Sequence, residues 1–228
     1  MSGRLTPELP AHGVRARDAA TLIIVRGCAP KREILFGQRS AAARFMPGRY
    51  VFPGGAVAPG DGTMDIATPL DRVYVRSMAV AGSSCRAARL ALAAVRETYE
   101  ETGLMLGVPG RAEGSHSSSW RRFSDEGLLP SLKSLRYVGR AITPTFSKIR
   151  YHARFFLTSA EHLQGEIAGD GELDNVRWIN ECETQELQMA DVTRFMFDRA
   201  LALTAGAVPE LPAPVFSWRR NKRSIAWR

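Results

Sequence analysis

Apolar and polar positions follow two different periods along the chain. AATLIIVRG (19–27), mostly apolar, reads as a buried strand, and EILFGQR (33–39) predicts a second strand, with APKR (29–32) joining them as a hairpin. SAAARFMPG (40–48) holds one helical turn at most, and RYVFPGG (49–55) predicts a short strand that ends in a Pro-Gly-Gly turn. From Ser84 to Thr102 the period becomes helical: Ala87, Leu90, Ala91, Ala94, Val95 and Thr98 fall on one face. Ser83 or Ser84 caps the start of this helix and Gly103 ends it. The stretch before it, 56–82, carries loop punctuation and one helix candidate at about 69–79, and is read as an insertion.

Beyond the helix, Leu104–Leu106 restart a strand, 107–119 form a surface loop, and 118–125 suit a helix. LRYVGRAIT (135–143), RYHARFFLT (150–158) and NVRWI (175–179) are further strands. Asp191 is read as the cap of a last amphipathic helix closed by Gly206, with Phe195, Met196, Leu201 and Leu203 facing the core. Strands interspersed with two principal helices predict an α+β fold with a mixed sheet between helices. There is no internal repeat.

Composition narrows this picture. The 228 residues, 45% of them hydrophobic, suit one large domain. Its expected limits are 18–206, with a polar, poorly ordered N-terminus over 1–17 and a Pro-rich, then basic, tail over 207–228. No apolar run reaches the ~18 residues a membrane helix needs, and the N-terminus shows no apolar leader core. Cys28, Cys85 and Cys182 are far apart, without metal-ligand spacing, which suggests a reducing compartment and a cytoplasmic protein. The net charge of +8 admits nucleic acid or an anionic small molecule as partner. Arg219, Arg220, Lys222, Arg223 and Arg228 lie in the tail, leaving about +3 elsewhere, so nucleic acid is not the expected partner of the body.

On the long helix, Glu97, Glu100 and Glu101 stand at i, i+3 and i+4 and share one face. Three crowded carboxylates repel one another. A cation among them would offset that, and oxygen donors suit Mg²⁺ or Mn²⁺. A solvated acidic face is the other reading, and the triplet alone leaves both open.

Residues 96–104, RETYEETGL, resemble the second half of the Nudix box, G-x5-E-x7-R-E-U-x-E-E-x-G-U with U aliphatic. Arg96, Glu97, Glu100, Glu101, Gly103 and Leu104 match it, and Thr98 replaces one aliphatic residue. VFPGG (51–55) resembles the strand and turn that precede the box. Between Gly55 and Arg96 the chain has 27 more residues than the pattern, which is the basis for placing the insertion at 56–82. A contiguous register starting at Gly82 is the alternative; in either register the first Glu of the pattern falls on Ala88, which leaves the partner of Arg96 unassigned. LFGQRSAAARFMPGRYVFPGG (35–55) further resembles the coenzyme A diphosphatase branch, through Arg39, Ser40, Arg44, Gly48 and the FPGG turn.

These resemblances imply a Nudix-type α/β/α sandwich. They imply Mg²⁺ or Mn²⁺ held by Glu97, Glu100, Glu101 and the Gly55 carbonyl, with Gly54 as the other candidate turn residue. Arg96 is expected to orient a glutamate. The general base is Glu97 or a loop acid, with Glu172 the candidate and Glu166, Asp170 and Asp174 its competitors; a solvated turn is the other reading of GDGELD. Arg39 and Arg44 are expected to bind phosphate, since guanidinium groups match phosphate oxygens in bidentate fashion; support of the loop is the alternative for each. The implied substrate is a nucleotide-type small molecule, coenzyme A or acyl-CoA, with ADP-ribose or NADH as the alternative. A nucleic-acid-binding or regulatory module of the same fold is the non-enzyme alternative. Tyr99 is either a pocket wall or a packing residue. Phe155, Phe156 and Trp178 could stack an adenine but are read as core; His116, His152 and His162 show no ligand spacing, and His152, which could line the site, is read as an ordinary strand residue. The insertion could lid a pocket or build a subunit contact, which leaves a homodimer open.

Overall fold

The structure, a computed structural model, describes residues 14–113, 117–168, 171–207, 212–219 and 222–228. The expectations for 1–13, His116, Asp170 and Arg220 lie outside these residues. In chain order the elements are β1 (Arg17–Arg26), β2 (Glu33–Arg39), β3 (Tyr50–Val51), β4 (Gly54–Ala56), α1 (Arg72–Val75) and α2 (Ser84–Thr102). Then follow β5 (Met105–Pro109), α3 (Ser118–Asp125), β6 (Leu128–Pro130), β7 (Arg136–Ile142), β8 (Tyr151–Ser159) and β9 (Leu163–Gln164). β10 (Leu173–Asn180), α4 (Asp191–Thr204), β11 (Pro214–Arg219) and β12 (Lys222–Trp227) complete the chain.

The apolar stretch Leu22–Val25 of β1 puts that strand in the interior of the sheet, where both faces are covered. The order is β10-β2-β1-β8-β7-β11-β12, with β3 added on β2 and β4 on β1. β1 runs parallel to β8 and β7 to β11; the other pairs are antiparallel, so the sheet is mixed. Alternate side chains of β1 feed two cores. Leu22 and Ile24 pack towards α2, while Ile23 and Val25 pack towards α4 with Met196, Phe197 and Ala200. The α+β class and the three-layer arrangement are therefore as expected. β6, β5 and β9 form a small separate sheet.

α2 begins at Ser83, whose hydroxyl accepts the Arg86 N–H at 3.2 Å, and ends at Gly103 in the left-handed conformation, φ 77°. It is covered on its outer side too. Leu70, Tyr74, Val75, Met78 and Val80 of the insertion join its core cluster, as do Trp120 and Phe123 of α3. The segment read as an insertion thus packs on the helix, through α1 and 3₁₀ turns at Pro59–Gly62 and Arg76–Met78.

Three sequence readings are corrected. The segment placed beyond the domain as a Pro-rich and basic tail contains β11 and β12, a hairpin of the main sheet, with Phe216 buried in the α4-side core. The loop placed at 107–119 starts later, because β5 runs on through Pro109 to pair with β6. Asp191 is the first residue of α4 and Ala190 its cap, with no side-chain cap bond; a carboxylate in the first turn still favours the helix dipole. Cys28, Cys85 and Cys182 are free and exposed. Among the described residues no helix is long and apolar enough to cross a membrane.

Candidate active site

Tight backbone approach creates the site. β4 pairs with β1, and a Cβ on Gly54 would lie 2.5 Å from the Ala20 carbonyl oxygen, so only glycine fits there. A Cβ on Gly55 would lie 2.5 Å from the Glu97 carboxyl carbon. The turn after the FPGG strand is therefore seated directly on the acidic face of α2. Gly54 N–H donates to Glu101 Oε2 at 2.8 Å, fixing that carboxylate from the turn side.

Arg96 holds the acidic face together from below. Its Nη1 donates to Glu97 Oε1 at 2.8 Å and to Glu100 Oε2 at 2.7 Å, and its Nη2 donates to the Ala56 carbonyl at 2.9 Å. The other edge of the guanidinium meets Asp61, with Nε to Oδ1 at 2.7 Å and Nη2 to Oδ2 at 3.1 Å. Asp61 has no solvent exposure and also accepts the Ala58 N–H at 2.7 Å. This is the partner that the sequence reading left unassigned. Counted forward from Gly55, the first acidic position of the box is residue 61 and not Ala88, so the extra residues lie between Asp61 and Arg96. Ala88 lies inside α2, two helical turns or about 12 Å from Arg96. The signal was present in the sequence: an aspartate six residues after Gly55, in the box's usual spacing on that side.

The electrostatics reflect burial. Desolvation lifts the Glu101 carboxyl to about 8, assisted by the Glu97 and Glu172 charges and opposed by the Gly54 N–H and by Arg39. Desolvation raises Glu97 as well, with Arg96 pulling the other way. Burial works against the Arg96 charge, but the Asp61 and Glu97 contacts outweigh it and hold the guanidinium above its ordinary range.

Above this knot lies a cavity of about 710 Å³ on the α4 side of the sheet. Arg39, Glu97, Glu172 and the Gly54–Ala56 turn line it, so the predicted turn, helix acid, loop acid and phosphate-binding arginine converge. Arg39 Nη2 stands 3.7 Å from Glu172 Oε1, and Glu172 sits just before β10. Glu101 is buried beneath the turn, while Glu100 faces Arg96; neither lines the cavity. Arg44, Glu166 and Asp174 are exposed and do not line it, nor does any residue from 57 to 82. Phe155 lies on the cavity wall, whereas Phe156 packs at a tilt on Tyr137 in the core, Arg26 covers Trp178, and Tyr99 packs edge-on against Phe123. The aromatic residues Phe216 and Trp218 of β11 also line the cavity, a contribution the sequence reading missed.

Among the described residues, no three His, Cys, Asp or Glu side chains converge as a ready metal cage, since two of the helix glutamates share Arg96. The donor set nonetheless suits a hard divalent cation: carboxylates with raised proton affinity, next to a glycine cradle that a Cβ would fill.

A mixed sheet between helix layers, with an Arg-anchored acidic helix face under a glycine turn, defines the Nudix fold and its box. A crystal structure of a Nudix hydrolase from Alicyclobacillus acidocaldarius is similar over 82% of this chain and 91% of that one, with TM-score 0.62 and 27% identity. An acyl-coenzyme A diphosphatase from Gallus gallus is 30% identical over 148 residues, 50% of this chain. The matched stretch spans only 39% of that relative's length. No family model matches the chain. The chain has the Nudix fold and is similar in sequence, over these stretches, to Nudix hydrolases.

Proposed function

We propose that the chain hydrolyses a diphosphate linkage in a nucleotide-type small molecule, with coenzyme A or an acyl-CoA as substrate. The products would be a phosphopantetheine compound and adenosine 3′,5′-bisphosphate. The observation that carries this reading is the Arg96 knot. One buried guanidinium, held by Asp61, fixes two box glutamates while the FPGG turn holds the third. The substrate class is supported by Arg39 at the cavity edge and by the likeness to the acyl-coenzyme A diphosphatase.

Glu97, Glu100, Glu101 and the Gly55 carbonyl are the residues that would hold Mg²⁺ or Mn²⁺. Such an ion neutralises phosphoryl oxygens and acidifies a bound water. The chain's own residues do the rest. Arg39, in the cavity lining, would pair with a phosphate oxygen in bidentate fashion. Glu172, exposed at the cavity rim beside it, would accept a proton from water, with Glu97 as the competing base. Arg96, more than nine-tenths buried, does not touch substrate; it positions the glutamates. Three free, exposed thiols fit a cytoplasmic setting.

Purified protein with Mg²⁺ is tested against coenzyme A, an acyl-CoA, ADP-ribose and NADH. Turnover of the coenzyme A compounds is expected. Turnover of ADP-ribose or NADH with none of coenzyme A would replace the substrate. No turnover of any diphosphate would favour a binding module.

A further inference from the structure

The cavity holds about 710 Å³, its lining runs from β2 to β11, and its two ends differ in chemistry. Its charged lining residues are Arg39, Glu97, Glu172 and Asp191. The first three belong to β2, α2 and the turn before β10; Asp191 is on the first turn of α4. The lining residues of β8, β7 and β11 carry no charge: among them are Ala153, Phe155, Ile142, Phe216 and Trp218. The strand order β2-β1-β8-β7-β11 separates these halves. At ~4.8 Å per strand, β11 lies about 19 Å from β2.

We infer that the uncharged half takes a straight apolar chain attached to the substrate, and that Trp218 of the C-terminal hairpin sets how long a chain is accepted. This rests on the coenzyme A reading above, because the chain must be joined to a group that reaches Arg39 at the other end. The hairpin is suited to the task. β11 is anchored by parallel pairing with β7 and by burial of Phe216. Trp218, two residues on, is on the same face of the strand, half-buried, and lines the cavity at its β11 end. Ala153 and Ala141 supply a low floor along which a chain can lie. Burying each methylene against such a wall tightens binding about fourfold.

The test is calorimetric binding in EDTA, which does not depend on turnover, with free coenzyme A and with its acetyl, hexanoyl and lauroyl thioesters. Wild-type affinity is expected to rise with chain length. In Trp218→Ser the lauroyl compound loses at least about tenfold while free coenzyme A changes less than about twofold; Trp218→Phe restores most of the loss. Equal wild-type affinity for lauroyl and free coenzyme A overturns the inference. So does a loss in Trp218→Ser that is the same for all four ligands, as a merely structural role would give. If coenzyme A is neither bound nor hydrolysed, the substrate reading fails by itself, and the inference is then read with alkyl phosphates. Dodecyl phosphate binding more tightly than butyl phosphate, with that difference lost in Trp218→Ser, sustains it; equal affinities overturn it.

Discussion

Replacing Asp61 by Asn removes one charge from a buried pair and turns an NH₂ group towards a guanidinium. Asp61 is fully buried and Arg96 nearly so. Removing one member of a buried ion pair typically costs about 3–5 kcal/mol, because the remaining charge is left without compensation. Arg96 retains Glu97, Glu100 and the Ala56 carbonyl, which argues for the low end, about 3 kcal/mol. For a chain of this size that corresponds to a melting point lower by about 6–12 °C, measured by scanning calorimetry. Turnover should suffer separately. With its Nε edge released, the guanidinium can tilt and carry both glutamates with it, and misplacement by ~1 Å can cost about 100-fold in kcat. KM should change little, since Arg96 does not reach the cavity. Asp61→Glu, which supplies the residue usual in the box, should recover much of both losses. An Asn variant with wild-type melting point and kcat would refute the role given to Asp61.

Other substitutions test other parts of the site. Glu101→Gln keeps an acceptor for the Gly54 N–H, so stability should stay within about 1 kcal/mol of wild type while hydrolysis is lost; near-normal turnover would exclude Glu101 from the metal site. Gly55→Ala drives a methyl group into the Glu97 carboxylate and should cost about 1–3 kcal/mol together with most of the activity, read from urea melts and initial rates. Desolvation, with Arg154 and Arg140 nearby, holds His152 down at about 4 despite Asp18, and its Nε2 accepts from Arg140 Nη1 at 3.1 Å. Because the folded value lies below the unfolded ~6.5, the effect is absent above pH 7, and stability is lost as pH falls from about 6.5 towards 4. The full shift would be worth ~3 kcal/mol, which partial exposure reduces to about 1–2 kcal/mol. Urea unfolding of His152→Gln should therefore show a flatter decline over that range than wild type, and parallel declines would count against it.

What could be read from the sequence was mostly local. The cap at Ser83, the left-handed end at Gly103 and the i, i+3, i+4 carboxylates depend on residues a turn apart, and the helix formed as those rules require. The FPGG turn marked the facing wall. Asp61 was also readable, but anchoring the box on its distance to Arg96 shifted the count to Ala88. The C-terminal hairpin was hidden for a physical reason. Prolines and clustered basic residues obscure its alternation, and its pairing with β7 joins residues more than seventy positions apart. The apolar half of the cavity was out of reach for the same reason, since β7, β8 and β11 meet there only after folding.

Asp61 and Arg96 are in contact although 34 residues (62–95) lie between them, where the usual box has seven. Lengthening a loop from seven to 34 residues costs only about 1.4 kcal/mol of closure entropy. The burial of Leu70, Tyr74 and Met78 against α2 readily offsets that amount. The Asp61–Arg96 contact thus accommodates a long intervening segment, whose own fold becomes ballast for the helix.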